Sequence, residues 1–263
     1  MRIATWNVNS IRTRVDRVIA FLERGDVDVL AMQETKCKDE QFPMARFEEA
    51  GYEVAHHGLN QWNGVAIASR VGLEDVQIGF EDMPGFGDPI AAEARAIAAT
   101  CDGVRMWSLY VPNGREIGHP HYEYKLDWLA ALRADGEKWL TENPEAQIAL
   151  TGDWNIAPRD EDVWDPAFFE GKTHVTQPER DAFQAMIDTG YADVVRPHTN
   201  EPRTYTYWDY TQLRFPKKQG MRIDFALCSP ALAGRVQGAV IDRDERKGKG
   251  ASCLLYTSPS PRD

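Results

Sequence analysis

Three apolar runs, at 64–68, 94–99 and 104–110, follow one another in this chain with no helical period between them. Short apolar runs bounded by Gly, Asn and charged residues read as strands. Strands in direct succession do not fit a purely parallel, doubly wound sheet, where each neighbour requires a crossover, usually a helix. Further runs at 2–6, 27–33, 147–151, 223–228 and 236–241 predict strands as well, and here helical periodicity does fall between several of them. Ile11, Val15, Val18, Ile19 and Leu22 mark one helix, with Ser10 as candidate cap and Gly25 as candidate stop. A second helix is expected over residues 122–140, with Leu126, Leu129 and Leu132 inward, and a third over 180–189. This mixture predicts an α/β domain with two sheets or one mixed sheet.

No repeat or long linker divides the chain, and the Gly-, Pro- and charge-rich loops at 81–89 and 159–178 read as surface excursions of one domain. No apolar stretch approaches the roughly 20 residues that span a bilayer, and the first residues enter a strand directly, so no membrane association and a cytoplasmic address are expected. Cys37, Cys101, Cys228 and Cys253 lack paired spacing and are expected to be reduced. The 41 acidic residues against 30 basic ones argue against a sequence-independent nucleic-acid coat. A divalent cation could still reverse the sign of a carboxylate-rich pocket.

The residues at the strand ends suggest such a pocket. Asp153 and Asn155, in Gly152-Asp153-Trp154-Asn155, come directly after Ile148-Ala149-Leu150. Polar side chains one residue apart at a rigid strand end project to the same side, where they can share a phosphate or a water. Asn7 succeeds the run at 2–6, Glu34 the run at 27–33, and Asp224 interrupts Met221-Arg222-Ile223-Asp224-Phe225. One such group is ordinary loop polarity; four on separate strands point to a single assembled site. His56 and His57 are neighbours on opposite strand faces and cannot readily share one metal ion, so packing is expected of them.

Taken in order, Trp6-Asn7-Val8-Asn9, Gln33-Glu34-Thr35-Lys36, Asn63-Gly64-Val65-Ala66, Tyr110-Val111-Pro112-Asn113-Gly114, Gly152-Asp153-Trp154-Asn155 and Arg222-Ile223-Asp224 resemble the exonuclease III family of apurinic/apyrimidinic endonucleases, within the endonuclease/exonuclease/phosphatase superfamily. The resemblance covers residues 1–252. It implies a DNase I-like four-layer sandwich of two mixed β-sheets flanked by helices. It also implies a Mg²⁺-dependent phosphodiesterase, with Mn²⁺ as a substitute, acting as a monomer on double-stranded DNA at abasic sites and 3′ ends. By the same resemblance Glu34 and Asn7 serve the metal, and Asp153 orients or deprotonates the attacking water. Asn155 and Tyr110 meet the phosphate, and Asp224 holds a histidine in place.

Arg95 and Lys125 are expected to contact the DNA backbone. Tyr207, Met221 and Ile223, next to the aromatic run Tyr205-Thr206-Tyr207-Trp208-Asp209-Tyr210, would shape a pocket for an extrahelical sugar. Arg214, Lys217, Lys218 and Arg222, extended by Lys247 and Lys249, would supply local positive charge. Two other readings remain open: a superfamily phosphodiesterase on phosphoinositides or sphingomyelin, and a non-catalytic DNA-binding module.

The module reading is prompted by the last residues. After Ser252 the family pattern continues with an Asp-His pair and a final buried strand, whereas this chain reads Cys253-Leu254-Leu255-Tyr256-Thr257-Ser258-Pro259-Ser260-Pro261-Arg262-Asp263. That run looks like a translated sequencing-library adapter. The expected organisation is a domain at 1–252 lacking its final strand, with an exposed sheet edge, and a non-native tail at 253–263 whose two prolines bar a central strand. All six histidines lie at or before His198, so none comes after Ser252. Loss of such a charge-stabilising group costs about 3–4 kcal/mol, and the chain as written is expected to be impaired.

Overall fold

A computed structural model describes residues 1–199, 204–209, 213–243 and 245, together with the backbone of 253–259. Its strands, in chain order, are β1 (Ile3–Asn7), β2 (Val29–Gln33), β3 (Glu53–His57), β4 (Val65–Ser69), β5 (Glu74–Ile78), β6 (Ala96–Cys101), β7 (Val104–Tyr110), β8 (Ile148–Asp153), β9 (Ala192–Asp193), β10 (Asp224–Cys228), β11 (Val236–Val240) and β12 (Cys253–Pro259). They form two sheets, ordered β11-β12-β1-β2-β4-β3 and β5-β6-β7-β8-β10-β9. Each sheet holds one parallel pair, β1 with β2 and β7 with β8, amid antiparallel neighbours. This is the mixed arrangement that the successive apolar runs require.

Side-chain alternation sets the layers. In the first sheet Ala4, Trp6, Leu30, Met32, Ala66 and Ala68 face α1 (Val15–Gly25) and α2 (Met44–Glu49), where Phe21, Leu22 and Phe47 complete the core. On the opposite face Ile3, Val29, Val65 and Ile67 meet Ile97, Ala99, Met106, Ala149 and Ala226 of the second sheet. That sheet in turn packs Trp107, Leu109, Leu150 and Phe225 beneath α3 (Pro120–Glu142) and α5 (Gln177–Asp188). Helix, sheet, sheet and helix therefore form four layers, and burial on both faces explains why the central strands read as continuous apolar runs. Two short helices, α4 (Pro166–Phe169) and α6 (Pro230–Ala233), lie in connections. Among the described residues no helix is long and apolar enough to cross a membrane.

Several expectations are corrected. The first helix begins only at Val15, after a 3₁₀ turn at Ile11–Thr13, and Ser10 makes no side-chain cap. Ser10 is instead held at φ 87° while its N–H donates to the Glu34 carbonyl at 2.7 Å, so the turn serves the loop after β2. Asp26, at φ 47°, takes the left-handed stop position expected of Gly25. Leu126 is half-buried, and Lys125 occupies the interior in its stead. Strands β3, β5 and β9 were not expected from the sequence: β5, Glu-Asp-Val-Gln-Ile, is exposed throughout and carries the polar signature of an edge.

The final strand expected to be missing is formed by the backbone of Cys253–Pro259. It lies between β11 and β1, with Asn7 opposite Cys253 and Ile3 opposite Thr257. Pro259 is the last residue of the strand and Pro261 lies beyond it, so neither removes an N–H from the ladder's interior. Tyr210, Lys247 and Lys249 lie outside the described residues.

Candidate active site

The strand ends converge as the sequence suggested. Asn7 ends β1, Glu34 comes just after β2, Tyr110 ends β7 and Asp153 ends β8. Tyr110 stands opposite Asp153 in the parallel register, and Asp224, the first residue of β10, stands opposite Asp153 in the antiparallel one. At this end the Asn7 carboxamide links the two sheets, with Nδ2 donating to Glu34 Oε1 at 2.7 Å and to Asp153 Oδ2 at 2.9 Å. The site thus spans the seam between the sheets.

Two of these residues sit in left-handed backbone, Glu34 at φ 53° and Asn155 at φ 51°. Such conformations cost on the order of 1–3 kcal/mol each for a non-glycine residue and persist where the surroundings fix them. Around Glu34 the fixing bonds are Ser10 N–H to its carbonyl, Thr35 N–H to the Gly64 carbonyl at 3.2 Å and Lys36 N–H to the Asn63 carbonyl at 2.8 Å. Asn155 N–H donates to Asp153 Oδ1 at 2.9 Å, and its side-chain Nδ2 to the Val111 carbonyl at 2.9 Å.

Negative charge is crowded here. Burial, then the charges of Asp224 and Glu34, push Asp153 well above the usual carboxylate range, with the Asn7 hydrogen bond opposing. Burial and the nearby Glu34 charge likewise hold the Tyr110 phenol well above its ordinary value, so it stays protonated at neutral pH. Lys36 Nζ lies 2.7 Å from Glu34 Oε2 and offsets part of the charge. Hard oxygen donors crowded at the cost of mutual repulsion suit a divalent cation such as Mg²⁺. Among the described residues no group of three His, Cys, Asp or Glu side chains is arranged to enclose a metal.

Asn7, Glu34, Tyr110, Asp153, Asn155, Tyr207, Met221 and Ile223 all line one cleft of about 600 Å³. Asp224 belongs to this constellation through Asp153, on which its charge acts. The assignments of Arg95, Arg222 and Lys125 to DNA contact are not met, since all three side chains are buried. Arg95 is buried against Glu93, with Nε 2.6 Å from Oε2, and its guanidinium lies 4.8 Å from the Tyr110 ring centre, so it braces the tyrosine and presents no surface to a backbone. Arg222 is buried between Asp193, at 2.6 Å, and Asp162, at 3.8 Å, where its charge is neutralised internally. Lys217 and Lys218 are exposed, as a charged patch needs.

Lys125 is fully buried and pairs with the equally buried Glu179. Its ammonium also donates to the Asn155 carbonyl at 2.7 Å, while Glu179 accepts from His174 N–H at 2.9 Å and closes the capping box with Thr176 at the start of α5. The pair therefore ties together α3, α5 and the Asn155 backbone. Removing one partner of a buried ion pair strands the other charge, at about 3–5 kcal/mol. Lys125→Ala and Glu179→Ala are each expected to lower unfolding free energy by that amount in urea titrations, and a loss under about 1 kcal/mol would contradict this bracing role.

His174, which the sequence did not single out, enters the cleft and brings Nε2 to 3.1 Å from Asn155 Oδ1. No periodicity marks its loop, so pattern reading had no signal for it. Burial first, and then the Lys125 charge, lower its pKa to about 4. Burial likewise lowers His56, in β3, and His121, whose Nδ1 accepts from Gly114 N–H at 3.1 Å, to about 4. Unfolded, each takes up a proton near 6.5; folded, each resists until about 4. For these groups the unfolded state then binds more protons in that window, so the histidines' contribution to stability is complete above pH 6.5 and is lost as pH falls towards 4. Melting temperature is expected to fall steeply across this interval, and substituting His121 by Asn should flatten the slope; an unchanged slope would remove that histidine from the account.

Comparison with known proteins points in the same direction. A model of the Endonuclease/Exonuclease/phosphatase family matches residues 4–260. Exodeoxyribonuclease III of Haemophilus influenzae is 29% identical over 264 residues, spanning 94% of each chain. Among solved structures, the 3′ phosphatase NExo from Neisseria bound to a product DNA hairpin superimposes with a TM-score of 0.92 at 34% identity, covering 99% of both chains. An AP endonuclease from Archaeoglobus fulgidus gives 0.90 at 34% identity, covering 99% of this chain and 100% of that one.

Proposed function

Since the chain belongs to the Endonuclease/Exonuclease/phosphatase family, we propose that it is a DNA repair hydrolase that cleaves phosphodiesters 5′ to abasic sites and at 3′ ends. The observation that carries this reading is the Asn7 carboxamide joining Glu34 of one sheet to Asp153 of the other, at the floor of an open cleft. Such a constellation can neutralise a phosphate, aim a water and stabilise a leaving oxygen. Glu34 and Asn7 are the residues that would hold Mg²⁺, which supplies charge neutralisation at the phosphate. Three free, buried cysteines, Cys37, Cys101 and Cys228, suit the reducing cytoplasm, where the chain would act as a monomer.

Asp153 takes the proton of the attacking water; its raised affinity for protons makes it a stronger base than an ordinary carboxylate. The Asn155 carboxamide is oriented by Val111 on its nitrogen and by His174 on its oxygen, and the second N–H of that amide is assigned to a phosphate oxygen. Tyr110, protonated and braced by Arg95, donates to the phosphate or the departing oxygen. Tyr207, Met221 and Ile223 form the wall that receives the sugar.

The test is hydrolysis of a duplex carrying a single abasic site, and of a recessed 3′ end, beside a soluble inositol phosphate. Cleavage of both DNA substrates that falls to background on chelation and returns with Mg²⁺ is expected. Turnover of the inositol phosphate with neither DNA cleaved would overturn the reading.

A further inference from the structure

The cleft runs on past the carboxylates to a wall that the chemistry above does not use. Here Trp164, Phe168 and Lys172, on the chain through α4, are layered with Arg214. The Arg214 guanidinium lies 5.2 Å from the Trp164 ring centre and 4.5 Å from that of Phe168, and Lys172 Nζ lies 3.4 Å from the same Phe168 centre. The two rings are 5.1 Å apart. Arg214 is 9% exposed and donates to Gln219 Oε1 at 3.0 Å, which holds it in place, whereas Lys172 is exposed to solvent. Phe168 is 38% exposed, and it lines the cleft.

Size points the same way. A cleft of about 600 Å³ falls among the sites of roughly 300–1,000 Å³ that enclose drug-sized ligands, and a base-less sugar leaves much of it unfilled. What suits the remainder is a flat π-system joined to an anion. Every nucleobase offers a π face to an aromatic ring, and Arg and Lys beside that ring attract the attached phosphate.

We propose that this wall is a nucleobase subsite: the base of the nucleotide being released stacks on Phe168, and Lys172 leaves the ring for the phosphate while Arg214 stays. The proposal rests on the DNA-hydrolase reading and deepens it, since it makes a 3′ nucleotide that keeps its base a better ligand than one without. Base–aromatic stacking is worth enough that removing the ring weakens binding by about tenfold.

The experiment is fluorescence anisotropy with the full chain in chelator, which needs no turnover, on two recessed duplexes that differ only in whether the 3′-terminal nucleotide carries a base or is a tetrahydrofuran. Tighter binding of the base-bearing end is expected. Phe168→Ala should weaken that end about tenfold more than the base-less one, Phe168→Leu should behave likewise, and Phe168→Trp should restore the preference. Equal affinity for both ends in the wild-type chain, or an equal loss for both in Phe168→Ala, overturns the subsite. Binding of neither duplex overturns the DNA reading itself.

Discussion

Introducing Cys253→Asp and Leu254→His together is expected to raise the rate of abasic-site incision several hundred-fold. The family that the motifs up to Ser252 resemble is expected to continue with an Asp-His pair, and the chain carries Cys253-Leu254 there. The backbone register puts these positions at the reacting end of the first sheet: Cys253 stands opposite Asn7 and Leu254 opposite Trp6. A group that stabilises developing charge on the phosphate contributes about 3–4 kcal/mol, a factor of roughly 10²–10³ in rate. Single-turnover incision of the double variant against the parent, with each single substitution as a control, decides the matter. A double variant no faster than its parent would show that the sequence departure after Ser252 does not limit the chemistry.

Asp153→Asn is expected to lower kcat by about 10²–10⁴, the usual contribution of a positioned general base. The same change should stabilise the fold. In the native protein burial and the charges of Asp224 and Glu34 raise the Asp153 pKa above its ordinary 3.8. Where a carboxyl is easier to protonate folded than unfolded, stability declines as pH rises from the unfolded value through the folded one, so at neutral pH the ionised group is a burden. Asparagine keeps the shape and removes the charge, and its melting temperature in chelator should exceed that of the parent. Loss of activity together with loss of stability would make Asp153 a structural residue instead. Because such groups act as a unit, the rate penalty should be larger in the Asp-His variant than in the chain as written.

Much of this was legible before any coordinates. The eight expected strands all form; most are central strands, apolar throughout because they are buried on both faces, whereas β11 is a partly exposed edge. Glu34, Asp153, Asn155 and Asn7 were legible from position alone, as polar groups at the ends of such strands. What escaped has a common cause: a sequence names a side chain without its burial. Lys125, Arg95 and Arg222 read as cations available to DNA, yet Glu179, Glu93 and Asp193, remote from them or merely adjacent in sequence, take them inside. Phe168 and His174 reach the cleft from loop 159–178, whose composition signals only irregular structure. Strand β12 was missed because two prolines were weighed without knowing that one would fall at the strand's end and the other outside it.

The position of Asn7, Glu34 and Asp153 astride the two sheets makes the site a property of their packing. Glu34 comes with the first sheet and Asp153 with the second, so the constellation exists only while the two sheets lie face to face, and a copy whose sheets have parted no longer holds it.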